Sequence, residues 1–316
     1  MSSATTFKGV TDIGDKQLSE MITDNLIFFL DWGFLNIGAY FNITISTSGQ
    51  YGGEKSRLKL VKDPRFADGR VWESFSKKFV WETNLETSAQ PIGISGVYIN
   101  GTFHAVNSNN YIDYNNGRVI FSSAIPTNSV VTLNYSYKFI DVNDGHDIPW
   151  LSRPTYNFSR IDNSTYGQFG SGDFSEIAER RIQLPTVAVE VNPITETRGH
   201  SLGTGYRYAT NNVSFHILSD SDGTCKKIAD ILADQKDKTI FMFDSNKIAD
   251  SGAYPLDSRG MKRSQAINYP QMVAETGYLW NKLRFEETHT QDTQRLTDNV
   301  YYTVVKAETE VVLFAV

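Results

Sequence analysis

The spacing of hydrophobic positions changes several times along the chain, and each change marks a predicted element. Over residues 15–30, Leu18, Met21, Ile22, Leu26 and Phe29 recur at three- and four-residue steps, while Lys16, Glu20 and Asp24 hold the other face. That period predicts an amphipathic helix, with Gly33 and Gly38 bringing it to an end. From Ala39 the pattern becomes alternation, through Tyr40-Phe41-Asn42-Ile43-Thr44-Ile45, which predicts a strand. The clearest local signal follows between residues 97 and 139. Tyr111-Ile112-Asp113-Tyr114 and Arg118-Val119-Ile120-Phe121 flank Asn115-Asn116-Gly117. An Asn-Gly step adopts the positive φ of a tight turn, so a β-hairpin is expected here. Pro126-Thr127-Asn128 predicts a further turn, with a strand over 130–137. A series of short strands rich in Gly, Asn and aromatics implies an antiparallel β sandwich or barrel.

Periodicity fails between residues 141 and 179. Asn163 to Gly172 has linker composition, and its Tyr166 and Phe169 suggest an arm that docks on a neighbour. Regular patterns resume near Arg181. Val187-Ala188-Val189-Glu190-Val191 and Val213-Ser214-Phe215-His216-Ile217-Leu218 predict strands. A helix is expected over 225–235, with Ile228, Ile231, Leu232 and Gln235 on one face and Thr224 as N-cap. Residues 239–244 predict another strand. At the end of the chain Val305, Ala307, Thr309, Val311 and Leu313 alternate with Lys306, Glu308 and Glu310, a long strand with one face in a core. The expected fold class is therefore α+β and β-rich. Its segments are an N-terminal helical segment (1–30), a β-rich domain (31–145), a linker or arm (146–180) and an α+β domain (181–316).

Composition narrows the function more than the fold. The chain has 316 residues, 13% of them aromatic, which is far from the makeup of a disordered chain. The net charge of −6 and the scatter of single Lys and Arg exclude a basic stripe for gripping duplex nucleic acid. A single cysteine, Cys225, excludes an internal disulfide and a cysteine-rich zinc site. Met1 to Thr6 lacks the charged start and apolar core of a secretory signal. The most apolar stretch, 26–35, is broken by Asp31 and Gly33 and is too short to span a bilayer, so no membrane partner is expected.

Motifs for chemistry are weak. Gly199-His200-Ser201-Leu202-Gly203 fits the nucleophile-elbow pattern, with Asp244 and His289 in the right order downstream. However, a polar segment precedes it where the elbow needs an apolar strand, and a glycine-permitted loop is the simpler reading. Asp141-Val142-Asn143-Asp144-Gly145-His146-Asp147 and Asp220-Ser221-Asp222-Gly223 resemble cation loops, but neither has the glycine and glutamate at the required positions. Turn chemistry accounts for both. Cys225 at a helix start is expected to be a packed small residue, and His216 a hydrogen-bonded sheet histidine. The five histidines show no zinc spacing. No catalytic residue, cofactor or metal is expected, and the protein is read as a non-enzyme. The densest aromatic cluster, Phe66, Trp72, Phe75, Phe79 and Trp81, suits either an interface or a β core, since both use alternating aromatics. The candidate interface residues are Trp72, Phe75, Phe79, Trp81, Tyr166 and Phe169.

Three features together resemble a tailed-bacteriophage virion protein of the neck, the tail-terminator or head-to-tail connector type. They are Asp24-Asn25-Leu26-Ile27-Phe28-Phe29-Leu30-Asp31-Trp32-Gly33, then Asp63-Pro64-Arg65-Phe66-Ala67-Asp68-Gly69-Arg70-Val71-Trp72-Glu73 with the 111–121 hairpin, and the strand-helix-strand unit from Val213 to Asp244. The resemblance implies a structural ring, a hexamer or dodecamer, that joins head or portal components to the tail and lines the DNA conduit. It implies portal, neck or tail-tube neighbours, no sequence-specific nucleic-acid binding, and location in the virion after assembly in the host cytoplasm. A tail-tip or baseplate module that binds a partner or carbohydrate is the alternative.

Overall fold

In the computed structural model, which describes residues 12–45, 55–145, 183–199, 207–274, 277–297 and 300–313, the chain opens with helix α1 (Leu18–Asn36). The Gln17 amide donates to Glu20 Oε2 at 2.8 Å and so satisfies one N-terminal donor. At the other end the amides of Gly38 and Ala39 donate to the carbonyls of Leu35 and Phe34, the Schellman pattern. Gly33 lies inside the helix. The expectation that it stops the helix is corrected: the Ile37 amide still reaches the Gly33 carbonyl at 3.2 Å. An isolated helical glycine costs a little stability and does not end a helix that tertiary packing holds.

Ten short strands follow: β1 (Tyr40–Ile43), β2 (Lys59–Val61), β3 (Val71–Glu73), β4 (Gly96–Ile99), β5 (Thr102–Ala105), β6 (Asn110–Asp113), β7 (Arg118–Phe121), β8 (Val131–Leu133), β9 (Tyr135–Lys138) and β10 (Asp141–Asp144). All but β10 form a sheet of order β2-β3-β7-β6, another of order β5-β4-β8, and the pair β1-β9. Trp72, Val97, Ile112, Val119, Leu133 and Tyr135 from these sheets share one core. The expected hairpin is β6–β7, with Asp113 opposite Arg118. Gly117 sits at φ +65°, and a Cβ there would collide with the Ser76 carbonyl oxygen. Asp113 closes the turn by accepting the Asn116 backbone and side-chain N–H groups at 3.0 and 2.8 Å. The strand expected over 130–137 divides at Asn134: β8 pairs with β4 and β9 with β1.

The remaining strands are β11 (Thr186–Val191), β12 (Glu196–Gly199), β13 (Arg207–Ser219), β14 (Thr239–Phe243), β15 (Leu279–Thr290), β16 (Gln294–Thr297) and β17 (Val300–Leu313). Their order is β10-β11-β13-β17-β15-β14, with β12 added beside β13 and β16 beside β17, and the sheet curls into a half-barrel. All its pairings are antiparallel except β10–β11. Its axis is the ladder from Arg207↔Leu313 to Ser219↔Tyr301. Period two sends Val213, Phe215 and Ile217 of β13, with Val305, Ala307 and Val311 of β17, into one core. Helix α1 and helix α2 (Asp222–Ala233) cover that face, contributing Ile22, Leu26 and Phe34, and Ile228 and Leu232. Helix α2 begins earlier than expected, with Ser221 rather than Thr224 at its N-cap, because the Ser219 hydroxyl accepts the Ser221 amide and turns the chain there. Two short helices, α3 (Ser245–Ser251) and α4 (Tyr269–Ala274), pack Ile248 and Met272 with Trp32 and Leu35 in another core.

Helix α1 and β10 thus precede the expected 146–180 linker in sequence and belong to the sheet that follows it. Residues 146–180 themselves lie outside the described residues. The α+β, β-rich class holds, with an N-terminal helix and antiparallel sheets.

Asn25 joins the two ends of this arrangement. Its amide, fully buried, donates to the Met21 and Phe243 carbonyls at 2.8 and 3.0 Å and accepts the Phe243 N–H at 2.8 Å. The Tyr269 hydroxyl donates to the Phe241 carbonyl at 2.7 Å on the same strand.

Two glycines should respond oppositely to alanine. Gly33→Ala has free space for its methyl group, so it is expected to raise stability in urea unfolding by roughly 0.5–1 kcal/mol. Gly117→Ala is expected to lower it by about 2 kcal/mol, from positive φ and the collision with Ser76.

Candidate assembly surface

The face of the sheet turned away from α1 and α2 carries the other half of the alternation. Tyr208, Thr210, Asn212, Ser214 and His216 of β13 stand opposite Val312, Glu310, Glu308, Lys306 and Val304 of β17. Charges here are mixed in sign. Arg198 of β12 reaches Glu310 at 2.7 Å, with its guanidinium 5.3 Å from the centre of the Tyr208 ring. Lys282 lies 5.1 Å over the Phe241 ring. Neighbouring strands bring Glu190, His216 and Tyr302 into one line: Nε2 of His216 lies 2.9 Å from Glu190 Oε2, and Nδ1 lies 2.7 Å from the Tyr302 hydroxyl. The line is satisfied when Nε2–H donates to Glu190 and the phenol donates to Nδ1. Burial pushes the Tyr302 phenol up, and Glu190 adds to it, so the phenol stays protonated and serves as donor. Both ring nitrogens being engaged, His216 is the hydrogen-bonded sheet histidine expected from the sequence.

Large apolar side chains are exposed around the rim of this sheet. Phe241 on β14 and Leu279 at the start of β15 are 47% and 41% exposed at one edge. Ile194, between β11 and β12, is 42% exposed across the sheet from them. Leu296 on β16 is also exposed.

The candidate interface aromatics are placed differently. Trp72, Phe79 and Trp81 are buried in the β core and so are not surface anchors of the folded chain. The Trp72 indole donates to the Gly69 carbonyl at 3.0 Å, and Phe79 packs 4.6 Å from Tyr135 between ring centres. Phe75 alone of these four faces solvent, with the Lys55 ammonium 4.8 Å over its ring. Tyr166 and Phe169 lie outside the described residues. The segment around Trp72 supplies instead a buried ion cluster that sequence reading missed. Arg118 meets Glu73 at 2.8 Å and Asp63 at 3.4 Å, while Arg65 at 2.7 Å holds the Asp63 carboxyl below its usual range. Its one sequence signal is Arg118 heading the apolar run Val119-Ile120-Phe121.

The remaining motifs resolve locally. Asp141 to Asp144 form strand β10 rather than a loop, and Asp141 pairs with Lys78 at 3.3 Å. Asp220 to Gly223 lead into α2, where Asp222 pairs with Lys226 at 2.8 Å. His200 and Ser201 lie outside the described residues. Asp244 caps α3 by accepting from the Asn246 and Lys247 amides at 3.1 and 3.2 Å. His289 stands at the far end of β15 from Asp244, roughly 30 Å along the strand. Among the described residues no group of three or more His, Cys, Asp or Glu side chains is arranged to hold a metal, and no helix is long and apolar enough to cross a membrane.

Cys225 packs under α2 in the sheet core, where burial pushes its thiol up to about 11. Iodoacetamide at pH 8 should therefore leave the native protein unmodified and alkylate Cys225 once urea unfolds it, as read by intact mass. No protein-family model matches the chain, and no curated protein matches it in sequence.

Proposed function

We propose that the chain is a non-enzymatic structural protein of a tailed-phage virion, forming a closed ring at the neck or tail end. In this reading it joins head or portal components to the tail and lines the DNA conduit. The observation that carries the proposal is the placement of exposed apolar side chains on opposite sides of one sheet, Phe241 and Leu279 on one and Ile194 on the other. A head-to-tail ring needs two different patches on two sides of each protomer, because the same contact must repeat around the axis. Large apolar side chains are suitable anchors for such contacts. The open sheet face fits the conduit role, since its described cations stand among Glu308 and Glu310 and form no continuous basic array for phosphates.

Negative-stain images and sedimentation of the purified protein at micromolar concentration test this. The expected result is a closed ring, a hexamer or dodecamer of the 35.6 kDa protomer, that Phe241→Glu disrupts without loss of the fold. A monomer under all conditions would remove the proposal. One feature favours the tail-tip alternative: all four residues of β5 are exposed, and Phe103 packs 5.2 Å from Tyr98 on that hairpin, a surface suited to a sugar ring. Glycan-array binding lost in Phe103→Ala, from a protein that forms no ring, would select that reading.

A further inference from the structure

A buried charge cluster ties three distant parts of the chain together. Lys138 at the end of β9 lies 2.9 Å from Asp31 Oδ2 of helix α1 and 2.7 Å from Glu82 Oε1, in the segment after Trp81. The three side chains are 8%, 14% and 4% exposed. The second oxygen of Glu82 accepts the Trp81 amide at 3.1 Å. The second oxygen of Asp31, Oδ1, is buried and has no hydrogen-bond partner among the described residues. Two carboxylates thus share one ammonium, and one carboxylate oxygen is left unsatisfied.

The surrounding charged groups do not correct this. Asp141 on β10 adds negative potential at Asp31, and its own charge is met by Lys78 at 3.3 Å. Lys262, exposed along much of its length, donates to the Trp81 carbonyl at 2.9 Å and faces Glu82. The Tyr114 phenol, also facing Glu82, is pushed up by burial and stays neutral. The Trp81 ring lies 6.0 Å from the Lys138 ammonium.

We propose that this cluster is a proton-dependent clamp between helix α1 and the β-rich layers, in which Asp31 Oδ1 takes up a proton in mildly acidic solution and the junction is tighter there than at neutral pH. Protonation at Oδ1 leaves Oδ2 free to accept from Lys138 as before. It brings the cluster to one carboxylate and one ammonium, the balance a low-dielectric interior favours. Desolvation is the largest cause, opposed by Lys138 and helped by Glu82 and Asp141, and together they raise the Asp31 carboxyl from 3.8 to about 6. A carboxyl whose folded value is raised adds stability that is fully present below its unfolded value, and that stability is lost as pH rises through the folded value. The sensitive window is therefore about pH 4 to 7.

Urea unfolding of the full chain between pH 5 and 7.5 tests the clamp. The unfolding equilibrium constant of the native sequence should rise on the order of tenfold or more across that range. Asp31→Asn keeps a carbonyl for Lys138 and carries no titrating proton, so most of the rise should vanish in that variant. Asp113, also raised by burial, titrates in both proteins and cancels in the comparison. An equal pH slope in the variant would overturn the proposal. A carbon-13 titration of the native protein gives a readout that does not depend on the variant folding. There the Asp31 carboxyl is expected to titrate near 6, and a midpoint near 4 would overturn the proposal. Glu82→Gln removes a negative neighbour and should move that midpoint down; an unmoved midpoint counts against the clamp.

Discussion

Ile22, Leu26, Leu30 and Phe34 of helix α1 are buried against the large sheet, while Trp32 and Leu35 are buried among α3, α4 and the segment after Val80. Phe28 reaches both the latter core and the β-rich core. One helix therefore has to satisfy apolar surfaces in several directions at once, and the layers meet where it lies. A helix that buried only one stripe would cap the sheet and leave the β-rich half to fold as a neighbour. Here the same nineteen residues are shared, so the two halves of the chain cannot settle independently of α1.

That constraint explains where the polar groups of the interior sit. A helix packed on several sides brings its Asp31 and Asn25 inward along with its apolar residues, and each must find partners. Asn25 finds them in the backbone of β14, and Asp31 in Lys138. The open face of the sheet answers to a different condition: its alternate residues face away from the helices and remain polar, with ion pairs and cation–aromatic contacts between neighbouring strands. Packing against α1 thus fixes one face of the sheet and leaves the other available for contact with the outside.

How much of this was legible in the sequence follows from how local each signal is. The β6–β7 hairpin, β11, β13, β14 and β17 rest on alternation and turn residues within a few positions of each other, and these were readable. Strand β15 was not, because its alternation at Asn281, Leu283 and Phe285 is cut by the bulge between Phe285 and Glu287. Helix α1 read six residues short because burial on two sides turns a stripe into a continuous apolar run, which made Gly33 look like an end. Trp72, Phe79 and Trp81 alternate in the same way whether they meet a core or a partner, so periodicity carried no information on which. The partners of Lys138 lie 107 and 56 residues away, at positions no different in sequence from solvated charges. The rim residues of the candidate assembly surface were also silent, since exposure depends on which strand ends the sheet.

The Asn25 and Tyr269 contacts have a consequence for growth. The last strand of a sheet ordinarily offers a row of backbone donors and acceptors to any passing extended chain. On β14 those of Phe243 are taken by an amide that imitates a strand, and the Phe241 carbonyl is taken by a phenol. Those three backbone groups are therefore withheld from main-chain annealing, which shortens the stretch of β14 that another extended chain could pair with.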